Sequence, residues 1–388
     1  MDLDAFRWLL TDEGQRLLGK AAALEGDPLQ ASAALRGEAT PERVAVALTQ
    51  ASLRRRARAK FGDLAESMYF TPDGLEQATR LRVAEHRAAR MVAASTSTVI
   101  DLGCGDGGDL VAFARAGMTA AGVDLDPVRV AVAEANLAAL GLGGAVAVAD
   151  ATTVDTTPFD VAYADPARRS ARGRSFEAGS WTPRWSFVER LLQRDACVKA
   201  APGLPHGMVP PEVEAEWVSD HGEVKEVALW SGRLATTERR ATVIGDGGLA
   251  TLTTADDPGA DVREPGRFLY EPDGAVIRAG LVTAVAAGVH GGLLDGHIAW
   301  VTSDEPFRTP FARSWEVAEE LPYREKQLRA ALRERGVGPL TVKTRGVSVV
   351  PEQLRQRLDL RGERPATIVL TRARGRGTCF LVRPLASA

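Results

Sequence analysis

One stretch, residues 98 to 126, limits what this chain can fold into more than any other. It reads TVIDLGCGDGGDLVAFARAGMTAAGVDLD: a β-branched run, a glycine turn, a helical segment and a second apolar run that ends in Asp124. Glycines let a backbone bend sharply and approach a ligand closely. A carboxylate at the end of the second strand can accept hydrogen bonds from ribose hydroxyls. The stretch therefore predicts a strand, a tight turn, a helix and a second strand around a nucleotide pocket.

Strands and helices continue to alternate from residue 95 to about residue 235. Four of the predicted strands end in an aspartate, namely Asp101, Asp124, Asp150 and Asp165. Strands separated by helices of about 10 to 15 residues form a parallel sheet with helices on both faces. Ligands bind at the carboxyl ends of the strands in such sheets. The sequence thus predicts an α/β fold with a site built from these four acids.

The regions on either side of this sheet have different patterns. The amino-terminal part is predicted to be helical, with one helix over residues 3–18, one that Thr40 caps, and one over residues 75–93. In the last of these helices, Gln77 and Thr79 are candidates to contact the ligand. The alternative is that both are ordinary residues of the helix surface.

A composition break at residues 245–266, rich in Gly, Asp and Pro, predicts a domain boundary or a β-hairpin. Residues 269–273 are predicted to open a helix over residues 274–287. The pattern predicts four parts in all: a helical region over 1–94, the sheet domain over 95–244, a linker and ferredoxin-like segment over 245–310, and a small α+β domain over 311–388.

The glycine turn also separates classes of nucleotide site. A phosphate-binding P-loop is excluded because no lysine follows the turn, whose pattern is D-x-G-x-G-x-G. The acid at its start, Asp101, argues against a pyrophosphate over the turn and favours a ligand with a cationic amine.

The motifs Asp101-Leu102-Gly103-Cys104-Gly105-Asp106-Gly107, Gly122-Val123-Asp124, Ala149-Asp150-Ala151 and Asp165-Pro166 follow one another in this order. Together they resemble the motif series of class I S-adenosylmethionine-dependent methyltransferases, over about residues 70 to 230. The resemblance implies a Rossmann-like sheet and S-adenosylmethionine as cofactor. It implies that the turn passes under the methionine part, that Asp124 binds the ribose and that Asp150 meets the adenine amine. The predicted cofactor-binding residues are Asp101, Gly103, Gly105, Asp124, Asp150 and Asp165.

The loop after the fourth strand, Asp165-Pro166-Ala167-Arg168-Arg169, departs from the family. Amino-methylating members have Asp or Asn, two prolines and an aromatic residue, and the second proline and the aromatic residue are missing. Carbon-methylating members need a cysteine nucleophile, whereas Cys197 lies in a predicted strand and is interpreted as core.

The predicted catalytic residues are therefore Asp165, which would orient or deprotonate the acceptor, with Arg168 and Arg169, which would position it. A loop of solvated arginines is the alternative. Lys199, at the end of the fifth strand, is a weaker candidate of the same kind.

Charge is distributed unevenly along the chain. Residues 321–388 contain 15 Arg or Lys against 5 Asp or Glu, whereas the whole chain has a net charge of -3. Such a basic tail predicts a polyanionic partner, although the arginine content also fits a GC-rich genome. The tail resembles the THUMP-like domain fused to such methyltransferases, on the residues 342–347, 351–354 and 366–371. This likeness implies an RNA substrate, and Arg and Lys are the residues that contact phosphates.

The cysteines and the apolar stretches bear on location. The three cysteines are widely spaced and form neither a metal-ligand pattern nor a disulfide framework, which predicts a reducing cytoplasm and no metal. The longest uncharged stretch has 16 residues, and a membrane span needs about 20, so no membrane association is expected.

We therefore expect a cytoplasmic methyltransferase that acts on structured RNA, either tRNA or rRNA. One alternative is a methyltransferase of a protein or a small molecule. Another is a non-catalytic RNA-binding protein that retains the cofactor pocket.

Overall fold

The computed structural model describes residues 1–24, 28–168 and 181–385. The chain divides into two compact units, Met1–Glu214 with Ala228–Thr236 and Ala215–Val227 with Thr237–Ala388. The helices are α1 (Leu3–Leu9), α2 (Asp12–Ala23), α3 (Pro28–Ala34), α4 (Pro41–Phe61), α5 (Pro72–Gln77), α6 (Leu81–Ala93), α7 (Gly108–Arg115), α8 (Pro127–Ala139), α9 (Trp185–Leu191), α10 (Gly274–Ala279), α11 (Val282–Gly288), α12 (Glu325–Glu334) and α13 (Pro351–Leu358). The strands are β1 (Thr98–Leu102), β2 (Thr119–Asp124), β3 (Ala145–Val148), β4 (Val161–Ala164), β5 (Ala167–Arg168), β6 (Trp181–Thr182), β7 (Ala196–Ala200), β8 (Glu214–Asp220), β9 (Glu223–Ser231), β10 (Arg239–Gly245), β11 (Gly248–Thr253), β12 (Phe268–Pro272), β13 (Gly292–Asp295), β14 (Ile298–Ser303), β15 (Ala312–Leu321), β16 (Val337–Thr344), β17 (Arg364–Ala373) and β18 (Arg376–Pro384).

Parallel strands form the sheet of the first unit, in the order β7-β4-β1-β2-β3. The chain proceeds from β1 outward to β3 and then returns past β1 to β4 and β7. The winding therefore reverses between β1 and β4, where Asp101 lies beside Tyr163 in register. This is the predicted Rossmann-like sheet, and ligands of such sheets bind at the reversal point.

The core of the first unit explains why these segments are strands. Val99, Val161 and Cys197 are fully buried on neighbouring strands and pack with Phe113 of α7. Strands buried on both faces are apolar along their whole length. The interpretation of Cys197 as a core residue is confirmed, because its side chain has no solvent exposure.

The amino-terminal region is helical, as predicted, but its helices are shorter. The predicted helix over residues 3–18 is wrong, because Thr11 accepts a hydrogen bond from the Gly14 amide (3.3 Å) and begins a second helix. The predicted cap of α4 is confirmed, since the Thr40 hydroxyl accepts from the Arg43 amide. The predicted helix over residues 75–93 is interrupted, because Lys60 donates to the carbonyls of residues 75, 76 and 78 at the end of α5.

The second unit contains a seven-stranded sheet in the order β13-β14-β12-β15-β18-β17-β16. Its pairs are antiparallel except β16 with β17, and α12 and α13 pack on it through a cluster that includes Leu328, Leu354 and Ile368. The hairpin alternative for residues 245–266 fits the antiparallel pair β10–β11.

Two predictions for the second unit are wrong. Residues 268–272 form the strand β12 rather than the opening of a helix, because Leu269 and Tyr270 are fully buried between β14 and β15. The helix predicted over residues 274–287 is two helices, α10 and α11, which are separated at Gly280 in the left-handed region (φ 72°). Among the helices of the described ranges, none combines the length and apolar character needed to cross a membrane.

Candidate functional site

A cavity of about 430 Å³ lies at the carboxyl ends of β1, β2, β3 and β4. The sheet places it at the point where the winding reverses, which is where ligands bind in this fold. All the residues predicted to bind the cofactor line it, namely Asp101, Gly103, Gly105, Asp124, Asp150 and Asp165. Their individual roles stay predictions.

The glycine turn forms the floor of this cavity. The amides of Gly103 and Cys104 donate to the Val123 carbonyl (2.8 and 2.9 Å), which ties the turn to β2. Gly105 has φ 55°, and a Cβ atom added to it or to Gly103 would meet no atom within 4 Å. The backbone therefore borders open space, as the close approach of a ligand requires.

The carboxylates of Asp124 and Asp150 are fixed by neighbouring donors. Asp124 accepts from the Gly105 amide through Oδ2 (3.0 Å) and from the Asp126 amide through Oδ1 (2.9 Å). Asp150 accepts from the amide and the hydroxyl of Thr152 (2.9 and 2.7 Å). The amide and hydroxyl hydrogen bonds lower the pKa of Asp150, so that this side chain is ionised and is oriented before any ligand arrives.

Asp101 is a carboxyl group of the cavity that lacks a full set of hydrogen-bond partners. It is only 1% exposed, and its Oδ1 atom has no hydrogen-bond partner among the described residues. Burial raises its pKa well above the ordinary value, and the nearby charges of Asp109 and Asp165 raise it further. A buried acceptor without a partner is costly. A cationic ligand group would remove this cost, which is the chemistry that the α-amino group and the sulfonium of S-adenosylmethionine offer.

A buried network around Asp109 was not predicted from the sequence. Asp109 accepts from the Thr79 hydroxyl (3.2 Å) and the Tyr163 hydroxyl (3.3 Å), and forms an ion pair with Arg87. The Arg87 guanidinium is 1% exposed in its side chain and lies 4.7 Å from the centre of the Tyr163 ring. The sequence contained one signal for this network, namely an acid in the first turn of the helix that follows the glycine turn. Negative charge is favourable at that end of a helix.

The amino-terminal helices supply another wall of the cavity. Asp106 of the glycine turn accepts from the Thr71 amide and hydroxyl (2.7 and 3.0 Å), while Asn136 donates to the carbonyls of Asp106 and Tyr69 (2.8 and 3.0 Å). Burial raises the pKa of Asp106 to about 6, against the opposing hydrogen bonds from Thr71. The residues from this region that line the cavity include Phe61, Met68, Phe70 and both predicted candidates, Gln77 and Thr79.

The acceptor side of the cavity contains an ion pair. Lys199, at the end of β7, donates to Oδ2 of Asp165 (2.5 Å), and the two side chains are 15% and 35% exposed. The backbone of Arg168 pairs with Trp181 in the small sheet of β5 and β6, whereas Arg169 lies outside the described residues. Within the described ranges, no cluster of three or more His, Cys, Asp and Glu side chains is arranged to hold a metal ion.

Comparisons with known proteins agree with this geometry. The methyltransferase-domain family matches residues 99–168, the THUMP domain-like family matches residues 312–384, and a domain family of unknown function matches residues 2–57. Two curated relatives, uncharacterized S-adenosylmethionine-dependent methyltransferases from two strains of Mycobacterium tuberculosis, are each 38% identical over 348 residues, which is 86% of this chain and 95% of the relative.

A crystal structure assigned to a methyltransferase of Porphyromonas gingivalis W83 has the same fold, with a TM-score of 0.74 and 21% identity over 99% of this chain and 98% of that one. The shared motifs, the cavity and the length over which the curated relatives match this chain lead to one conclusion: the chain belongs to the S-adenosylmethionine-dependent methyltransferases.

Proposed function

We propose that this methyltransferase modifies structured RNA, either tRNA or rRNA, in the cytoplasm. The observation that carries the proposal is a set of arginines on the hairpin of β17 and β18, in the THUMP-like region. Arg364, Arg372, Arg376 and Arg383 are all exposed, and none forms an ion pair with any residue that the structure describes. Exposed cations without partners contact phosphates at the smallest desolvation cost, and such contacts supply most of the affinity for nucleic acid.

In the cofactor cavity we assign the amine-binding role to Asp101, the ribose to Asp124 and the adenine amine to Asp150. Gly103 and Gly105 let the backbone lie close to the methionine part. When bound, S-adenosylmethionine supplies an electrophilic methyl group on a sulfonium. The protein then needs to hold the acceptor atom near that methyl group and in line with it.

On the acceptor side we assign the orienting role to Asp165. A carboxylate at this position accepts a hydrogen bond from an acceptor N–H or O–H, or takes its proton. Lys199 holds one oxygen of this carboxylate at 2.5 Å, which fixes its orientation. Lys199 is thus a positioning residue, and the positioning roles of Arg168 and Arg169 stay predictions from the sequence.

The test is methyl transfer by the full-length protein with isotopically labelled S-adenosylmethionine. The acceptors are RNA, protein and small-molecule fractions from a strain that lacks the gene. We expect label in the RNA fraction, in one methylated nucleoside, and expect Asp165→Ala to lose it. Lys199→Met should lower kcat by roughly tenfold or more and leave cofactor affinity unchanged, because it acts through Asp165.

The control variant is Asp155→Asn, which changes an exposed aspartate whose hydrogen bonds are to Thr157. It should transfer label at the wild-type rate. Label that enters only the protein or small-molecule fraction contradicts the RNA proposal, and equal activity of Asp165→Ala contradicts the assigned role of that residue.

A further inference from the structure

A second cavity, of about 540 Å³, lies within the second unit. It is bordered by the turn between β8 and β9, the end of β10, the end of β12 and the start of β15. Sites for small ligands in proteins have volumes of about 300 to 1,000 Å³, so this cavity has room for one nucleotide. None of its lining residues belongs to the cofactor site.

The acidic side chains of this cavity already have donors. Glu271 accepts from Lys343 (2.5 Å), and Asp273 accepts from the Ala275 amide at the start of α10 (2.8 Å). Asp246 lies 3.0 Å from Nε2 of His221. Each of these carboxylates therefore has a partner within the protein.

His221 is held in one orientation by two carboxylates. Its Nδ1 atom lies 2.6 Å from Asp220, and its Nε2 atom faces Asp246. Hydrogen bonding to Asp246 and Asp220 raises the pKa of His221, because a carboxylate only accepts and so favours a ring nitrogen that carries a proton. The ring thereby fixes the turn between β8 and β9 at the edge of the cavity.

The two arginines of the cavity have no such partners. Arg313 lies opposite Glu271 in the β12–β15 register, but the Glu271 carboxylate is engaged by Lys343. Arg345 is fixed through its backbone, since its amide donates to the Leu370 carbonyl (3.2 Å) and its carbonyl accepts from the Thr371 hydroxyl (3.0 Å). In the described part of the chain, neither guanidinium forms an ion pair or a side-chain hydrogen bond.

We propose that this cavity binds one nucleotide of a single-stranded RNA segment, with its phosphate held by Arg313 and Arg345. Two guanidiniums that line one cavity and have no carboxylate partner among the described residues suit a phosphate, which accepts bidentate hydrogen bonds from a guanidinium. The remaining volume holds the sugar and the base. This inference rests on the proposed RNA substrate and adds to it a defined site, separate from the exposed arginines of the β17–β18 hairpin.

The test uses full-length protein and a fluorescently labelled oligouridylate, with affinity measured by anisotropy over a series of salt concentrations. The cavity variant is the double substitution Arg313→Ala and Arg345→Ala. The matched control is Arg355→Ala with Arg361→Ala, which removes two exposed arginines of the same unit that are paired with Glu352 and Asp359. Hydrogen exchange of peptides from β12 and β15, measured in parallel, reports that the second unit is folded in each variant.

We expect the cavity variant to lose roughly tenfold in affinity and its slope of log K against log[salt] to fall by about 0.7, the value for one phosphate of a single strand. The control should lose no more than roughly twofold. Equal losses in the two variants would show that only overall charge matters, and would overturn the inference. If the wild-type protein methylates RNA while the cavity variant binds like the control, the inference fails and the proposed function stands. If the wild-type protein neither binds nor methylates RNA, both fail.

Discussion

Replacement of Asp106 by asparagine gives a stability change whose sign depends on pH. The Asp106 carboxyl is buried between the glycine turn and Thr71, and burial raises its pKa from 3.8 to about 6. The folded protein therefore binds a proton here more tightly than the unfolded chain. The stability from this protonation is fully present below about pH 4 and is lost as the pH rises through about 6.

The size of the effect follows from the two pKa values. A shift of one pKa unit corresponds to about 1.4 kcal/mol. Protonation of Asp106 therefore contributes about 3 kcal/mol to the free energy of unfolding at low pH. About 2 kcal/mol of this contribution is lost between about pH 4.5 and pH 7.5. An asparagine side chain does not titrate, and its amide oxygen can still accept from the Thr71 amide. The stability of Asp106→Asn relative to wild type should therefore rise by about 2 kcal/mol over this range.

Urea titrations at several pH values measure this difference. Pulsed hydrogen exchange of peptides from β1 and β2 reports the unfolding of the first unit alone, which matters because the chain has two units. Asp155→Asn is the control, because hydrogen bonds from Thr157 lower the pKa of Asp155 from its ordinary value of 3.8. The stability from its ionised side chain is lost only at lower pH, so the difference of this variant from wild type should stay nearly flat between about pH 4.5 and pH 7.5. A difference for Asp106→Asn that is flat or falls with rising pH would refute the reasoning.

Two further predictions concern the cavity floor. Binding of a cationic cofactor favours the ionised form of Asp101, whose pKa is raised by burial, so affinity for S-adenosylmethionine should rise as the pH increases through that pKa. Asp101→Asn should flatten the profile, and calorimetry in two buffers of different ionisation enthalpy should lose the proton release seen with wild type. Gly107→Ala should lower stability by about 2 kcal/mol, because φ is 80° and the new Cβ would lie 2.9 Å from that of Ala133. Gly105→Ala meets no neighbouring atom, so it should cost less stability but weaken cofactor binding more, which thermal unfolding and calorimetry together distinguish.

Local patterns predicted the central part of the fold well. The strand, glycine turn and helix at residues 98–115, the acids at the strand ends and the cap at Thr40 are all properties of short segments. Hydrogen bonds and dihedral preferences between near neighbours determine such features. The cavity that collects Asp101, Asp124, Asp150 and Asp165 followed from the rule for the carboxyl ends of parallel strands.

The remaining features depend on contacts between distant parts of the chain. Arg87, Asp109 and Tyr163 meet only in the folded protein, and no local pattern shows that Thr71 binds the glycine turn. Burial between two strands overrode local preference at β12. The second cavity was missed because Arg313 and Arg345 come to line one cavity only in the folded protein.

The most direct test of the account is calorimetric titration of the full-length protein with S-adenosylmethionine. The central claim is that the cavity at the reversal of the sheet holds the cofactor, with Asp124 on the ribose. Asp124→Ala should lose at least about tenfold in affinity, as expected for hydrogen bonds to a charged group. Asp126→Asn, two residues away at the cap of α8 and outside the cavity, should bind like wild type. Equal affinity of wild type and Asp124→Ala would contradict the account.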